Sequence, residues 1–99
     1  MIKKQKPGLK EGAIIWVPCE IKQGMFPTER YITVNVGTGT VSGFIPREDV
    51  KEEEDRVRAV RARLQGNSAA LLFRGEIFPT TNPVTVSTVW LAEKAEVAA

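Results

Sequence analysis

Four stretches of this 99-residue chain alternate apolar and polar positions with a period of two, the spacing that puts one set of side chains on each face of a β-strand. The clearest is Tyr31 to Val36, where Ile32, Val34 and Val36 alternate with Tyr31, Thr33 and Asn35. Its β-branched residues suit a pleated, half-buried surface. Ala13, Ile15, Val17, Cys19 and Ile21 alternate with Ile14, Trp16, Pro18 and Glu20. Ala69, Leu71 and Phe73 do so with Ala70, Leu72 and Arg74, and Val84, Val86 and Thr88 with Thr85, Ser87 and Val89. Val41 to Pro46 reads as a further strand, followed by a short helical turn over 47–50. Proline has no N–H for a ladder, so the strand holding Pro18 must lie at an edge or bulge there.

Punctuation between these runs is that of a β domain. Gly37-Thr38-Gly39-Thr40 reads as a tight reversal, Gln65-Gly66-Asn67-Ser68 as a hairpin turn, and Gln23 to Thr28 and Gly75 to Pro83 as loops. Two readings compete over residues 47–65. As a helix, Val50, Val57, Val60 and Leu64 share a stripe, and Glu52 and Glu54 precede Arg56 and Arg58 by four residues. As a strand, Val60, Ala62 and Leu64 alternate with Arg61, Arg63 and Gln65, with a phase slip at Ala59-Val60 marking a bulge. The strand is preferred because the hairpin turn at Gly66 then delivers it to a partner. Gly24-Met25-Phe26-Pro27-Thr28 and Gly75-Glu76-Ile77-Phe78-Pro79-Thr80, each ahead of a strand, also raise two related β-meanders.

Composition narrows the chemistry. The chain has no histidine, which removes the commonest general base at neutral pH and the commonest metal ligand. Ser42, Ser68 and Ser87 therefore lack a histidine to activate them, and nothing pairs particular carboxylates. The single cysteine, Cys19, cannot close an internal disulfide and reads as a buried small hydrophobe in a reducing compartment. No apolar run reaches the length of a bilayer, and Met1 to Lys6 lead into no signal core, so the expectation is a cytoplasmic protein without a membrane. Net charge is +2. Arg56, Arg58, Arg61 and Arg63 form its densest basic series, balanced by Glu52 to Asp55. Arg61 and Arg63 would project from one strand face and could meet phosphate or an acidic partner, against the plainer reading of a solvated face. Trp16 and Trp90 could line an apolar patch or pack into the core.

Part of the chain resembles a known family. Leu9-Lys10-Glu11-Gly12-Ala13-Ile14-Ile15-Trp16-Val17, then Tyr31-Ile32-Thr33-Val34, a glycine turn, Gly43-Phe44-Ile45-Pro46 and Val50 resemble, in order, the later strands of Src-homology-three-like barrels. The resemblance implies a small barrel, with Tyr31 in place of the family's groove tryptophan and Pro46 in place of its groove proline. Asp49 stands where that family carries a groove tyrosine, and its tyrosine-bearing first strand has no counterpart here. Polyproline recognition is therefore not implied.

The expected fold is mainly β: a small Src-homology-three-like barrel of five or six antiparallel strands over residues 11–91, between a flexible basic tail (1–10) and a C-terminal tail (92–99). The alternative is a barrel with one helix at about 48–65. The expected role is non-enzymatic, a binding or structural accessory module whose partner is another protein, with nucleic acid as the second reading. No cofactor, metal or catalytic residue is assigned. Candidate partner-binding residues are Trp16, Tyr31, Pro46, Arg61 and Arg63, on a monomer or an edge-paired homodimer.

Overall fold

Alternation becomes burial throughout the computed structural model, which describes residues 10–98. In strand β1 (Ile14–Pro18) Ile15 and Val17 are buried while Ile14 is exposed. In β3 (Glu29–Asn35) Ile32 and Val34 are buried, and in β4 (Thr40–Pro46) Val41, Gly43 and Ile45. β6 (Arg56–Gln65) buries Val57, Ala59 and Arg61, β7 (Ser68–Leu72) buries Ala69 and Leu71, and β9 (Val84–Ser87) buries Val84 and Val86. Apart from Gly43 and the charged Arg61, these residues join Phe73, Ile77 and Leu91 in one apolar core. Removing each such aliphatic chain from water is worth about 1.5–3 kcal/mol.

The mainly β expectation holds, in a different layout. Among the described residues ten strands form two antiparallel sheets that do not close into a barrel. The first sheet runs β10 (Glu96–Val97), β1, β6, β7, β9, with β5 (Val50–Lys51) also paired to β6. The second runs β2 (Glu20–Gln23), β3, β4, β8 (Glu76–Phe78). The stretch expected as one strand from Ala13 to Ile21 is divided at Cys19, where the chain passes from the first sheet to the second and the Cys19 N–H donates to the Asp55 carbonyl at 2.9 Å. Alternation is unbroken across that corner, which is why the pattern could not reveal it. Pro18 pairs with Arg56 on one side, while the C-terminal segment covers β1 only from Ile14 to Trp16, so among the described residues the proline sits at an open edge.

Residues 47–65 follow the strand reading. A 3-10 turn at Arg47–Asp49, a second at Glu52–Glu54 and the two-residue β5 lead into the ten-residue β6. Its bulge lies between Arg61 and Arg63 rather than at Ala59-Val60. The one α-helix among the described residues is elsewhere. α1 (Thr88–Lys94) begins where the last strand was expected to continue, and the Ser87 hydroxyl caps it by accepting from the Trp90 N–H at 3.0 Å. A serine cap outweighs the β preference of Thr88 and Val89 once Leu91 can turn inward. Residues 92–98, expected as a tail, belong to the fold: Ala95 is buried and β10 pairs with β1. The expected N-terminal tail lies outside the described residues except for Lys10.

The two Phe-Pro-Thr corners are not equivalent. The first closes the β2–β3 hairpin within one sheet, whereas the second, with cis Phe78-Pro79 and Asn82-Pro83 bonds, carries the chain from β8 to β9 in the other sheet. Asn82 organises that second loop. Its side-chain N–H groups donate to the carbonyls of Phe73 and Gly75, both at 2.8 Å, and its Oδ1 accepts from the Phe73 N–H at 3.0 Å. Among the described residues no helix is long and apolar enough to cross a membrane.

Candidate functional site

The outward phase of the second sheet carries aromatic residues where solvated polar ones would be ordinary. With Val41, Gly43 and Ile45 turned inward, Ser42, Phe44 and Pro46 face out, and register places Tyr31 opposite Phe44. Their rings meet with centroids 5.0 Å apart at 58°, a tilted aromatic pair. In the next row Thr33 and Ser42 join hydroxyls at 3.1 Å, and Phe78 lies opposite Ser42 on β8. Phe78 is 48% exposed. Contiguous apolar patches on a protein surface are a common feature of interaction sites.

One end of the face deepens into a groove lined by Met25, Phe26, Phe44, Pro46, Glu48 and Arg74. Its Phe26 wall is held in place by the chain itself. Arg30 donates from Nη1 to the Pro27 carbonyl at 3.1 Å and the Glu29 carbonyl at 2.8 Å, and its Nε pairs with Glu52. The Met25 N–H donates to Glu29 Oε2 at 2.9 Å. The opposite wall rests on an ion pair in which Arg74 donates from Nε (2.6 Å) and Nη2 (2.5 Å) to the carboxylate of buried Asp49. That bidentate bond pushes the Arg74 pKa further above its already high range. Glu48 and Glu76, also on the groove, have no ion-pair partner among the described residues. The groove thus combines an apolar lining with the carboxylates of Glu29, Glu48 and Glu76 and the guanidinium of Arg74.

The five sequence-derived candidates separate. Tyr31 and Pro46 share this outer face. Asp49, at the position of the resembled family's groove tyrosine, is buried under Arg74 instead of lining the surface. Trp16 lies on the outer face of the first sheet, half-buried opposite Arg58, with the Lys51 ammonium 4.3 Å from its ring centre. Arg61 and Arg63 do not share a face. The bulge between them turns Arg61 inward beside Leu71 and leaves Arg63 outward and exposed. Arg56 is engaged too, with Glu96 at 3.1 Å and with the carbonyls of Trp16 and Lys94. The arginine series is therefore not a continuous basic patch. Phe26, Phe44 and Phe78 were missed, although the phase of β4 places Phe44 among polar positions and so held the signal.

Arg61 has only 2% of its surface exposed, and its Nε and Nη1 find no hydrogen-bond partner. Burial pushes the guanidinium pKa down, offset in part by the Glu11 carboxylate. A buried charge without good partners is commonly replaced by an apolar side chain at no loss. Arg61→Met is accordingly expected to raise the melting temperature by about 4–8 °C, the equivalent of ~1 kcal/mol in a domain of this size. A lower melting temperature in a thermal scan would mean that the guanidinium is compensated after all.

A second depression lies between α1 and the β3–β4 turn, with Cys19, Thr33, Trp90 and Lys94 on its walls. Burial, and secondarily the Asp55 charge, pushes the Cys19 thiol up to about 12, opposed weakly by Arg56. A nucleophilic cysteine needs the reverse shift, so this thiol stays protonated at neutral pH. No family model, curated protein or solved structure matches the chain.

Proposed function

We propose that this protein is a non-catalytic binding module that receives an extended segment of a protein partner on the outer face of its second sheet. The observation that carries this reading is the half-exposed cluster of Tyr31, Phe44, Pro46 and Phe78 beside the braced Phe26 loop. Aromatic side chains bury a large area for little loss of conformational freedom, and for that reason they dominate protein interfaces. An apolar side chain of the partner would rest on Phe44, and a lysine or arginine would reach Glu48 and Glu76. The same carboxylates repel phosphate, which favours a polypeptide over nucleic acid at this face. The resemblance to Src-homology-three-like barrels enters here only through the positions of Tyr31 and Pro46.

The test is affinity capture from cell extract with the full chain as bait, comparing wild type with Phe26→Ser and Phe78→Ser, which alter exposed side chains. A discrete polypeptide held by wild type is expected to be retained about tenfold less by each variant, a hot-spot-sized loss of ~1.4 kcal/mol. Equal retention by all three baits, capture that disappears with nuclease, or turnover abolished by a single carboxylate substitution would each overturn the proposal.

A further inference from the structure

We infer that β2 is a self-pairing edge through which two copies of this chain join their second sheets. β2 closes one end of that sheet, pairing with β3 on one side and with no described strand on the other. An open edge leaves backbone donors and acceptors ready to accept a further strand. The remaining edges are less suited to one. β5 and β10 have two residues each, β8 has three between Gly75 and Pro79, and β9 is enclosed by Pro83 and α1.

The residues of β2 are complementary to themselves. An antiparallel copy placed in the register that sets Ile21 opposite Ile21 brings Glu20 of each chain opposite Lys22 of the other. It therefore forms two opposite-charge cross-strand pairs about a two-fold axis. Glu20 and Lys22 lie opposite Thr33 and Tyr31, so both charges stand on the outer face and reach their counterparts without burial. Ile21, turned toward the core, would meet its equivalent on the inner side. The same register carries Met25, 77% exposed, past the Pro18-Cys19 corner of the other copy. The β2 end is held firm for this purpose by Glu29, whose side chain folds against Gly24. The joined sheet would have eight strands, with the aromatic faces of both copies on one side.

Sedimentation velocity on the full chain, from low micromolar to submillimolar concentration, tests this by charge exchange. Wild type is expected to show a concentration-dependent dimer. Glu20→Lys alone and Lys22→Glu alone each turn both cross-strand pairs into like-charge pairs, and each should raise the dimer dissociation constant roughly tenfold. Mixing the two variants, or combining both changes in one chain, restores opposite charges and should restore association. Wild type that stays monomeric over the whole range overturns the inference, as does a dimer indifferent to the exchanges. Neither result bears on capture by the aromatic face, which is tested through Phe26 and Phe78 and not through Glu20 and Lys22.

Discussion

Gly43→Ala is expected to lose about 3–5 kcal/mol of stability, out of ~5–15 kcal/mol for a domain of this size. A methyl group at Gly43 would lie 2.1 Å from the Glu76 carbonyl oxygen, a backbone atom of the neighbouring strand that cannot rotate away. Gly75 makes the reciprocal approach: with φ at +152°, its added carbon would sit 2.2 Å from the Phe44 carbonyl oxygen. β8 thus lies against β4 closer than any side chain on that face permits. Either β8 separates, exposing Ile77, or the whole domain becomes marginal. Urea denaturation should show the midpoint shifted by more than ~1 M, given slopes of ~1–3 kcal/mol/M for small proteins. Ser42→Ala, one residue earlier, removes only the hydroxyl contact with Thr33 and should lose ~1 kcal/mol. Equal midpoints for the two variants would contradict this account of the close approach.

Arg74→Ala should lower the melting temperature by about 10 °C, by stranding the Asp49 carboxylate without its two donors. Asp49 is 1% exposed, so water cannot replace them without the turn at Arg47–Asp49 moving. Arg74→Lys should recover only part of the loss, because an ammonium is a single point charge and cannot reproduce the fork. Removing both groups together, in Asp49→Ala with Arg74→Ala, should be less damaging than Arg74→Ala alone, since no buried charge is left behind. A thermal-melting cycle over these variants measures the coupling, and additive effects would rule the pair out as a structural tie. The same pair supports one wall of the groove, so the variants should also weaken partner capture.

What the chain shows locally was readable without coordinates. Tyr31 to Val36, Val41 to Pro46 and Ala69 to Phe73 carry enough period-two pattern to define strands, faces and the hairpin at Gly37, where φ is +93°. Residues 56–65 form a strand as their alternation implied, but the inward phase continues from Val57 and Ala59 to Arg61 instead of slipping to Val60, Ala62 and Leu64. Tyr31 and Pro46 became candidates through the partial resemblance to Src-homology-three-like barrels. Phe44 is equally legible by phase, since it alternates with Gly43 and Ile45 and shares the outward positions of Ser42 and Pro46.

Other features depend on distant parts of the chain. Alternation says which side chains share a face but not when a strand leaves one sheet for another, so the Cys19 corner was invisible. A bulge shifts phase by one residue at no visible cost in composition, and it alone separated Arg61 from Arg63. The Asp49–Arg74 tie spans 25 residues and no local motif announces it. Sequence by itself determined the β class, the inward residues of the regular strands before the bulge and the absence of histidine chemistry, because these follow from residue type and nearest-neighbour geometry. Tertiary structure alone decided how the strands divide into two sheets, which edge stays open and which aromatic residues face out together, because those depend on backbone approaches such as Gly43 to Glu76 between residues far apart in the chain.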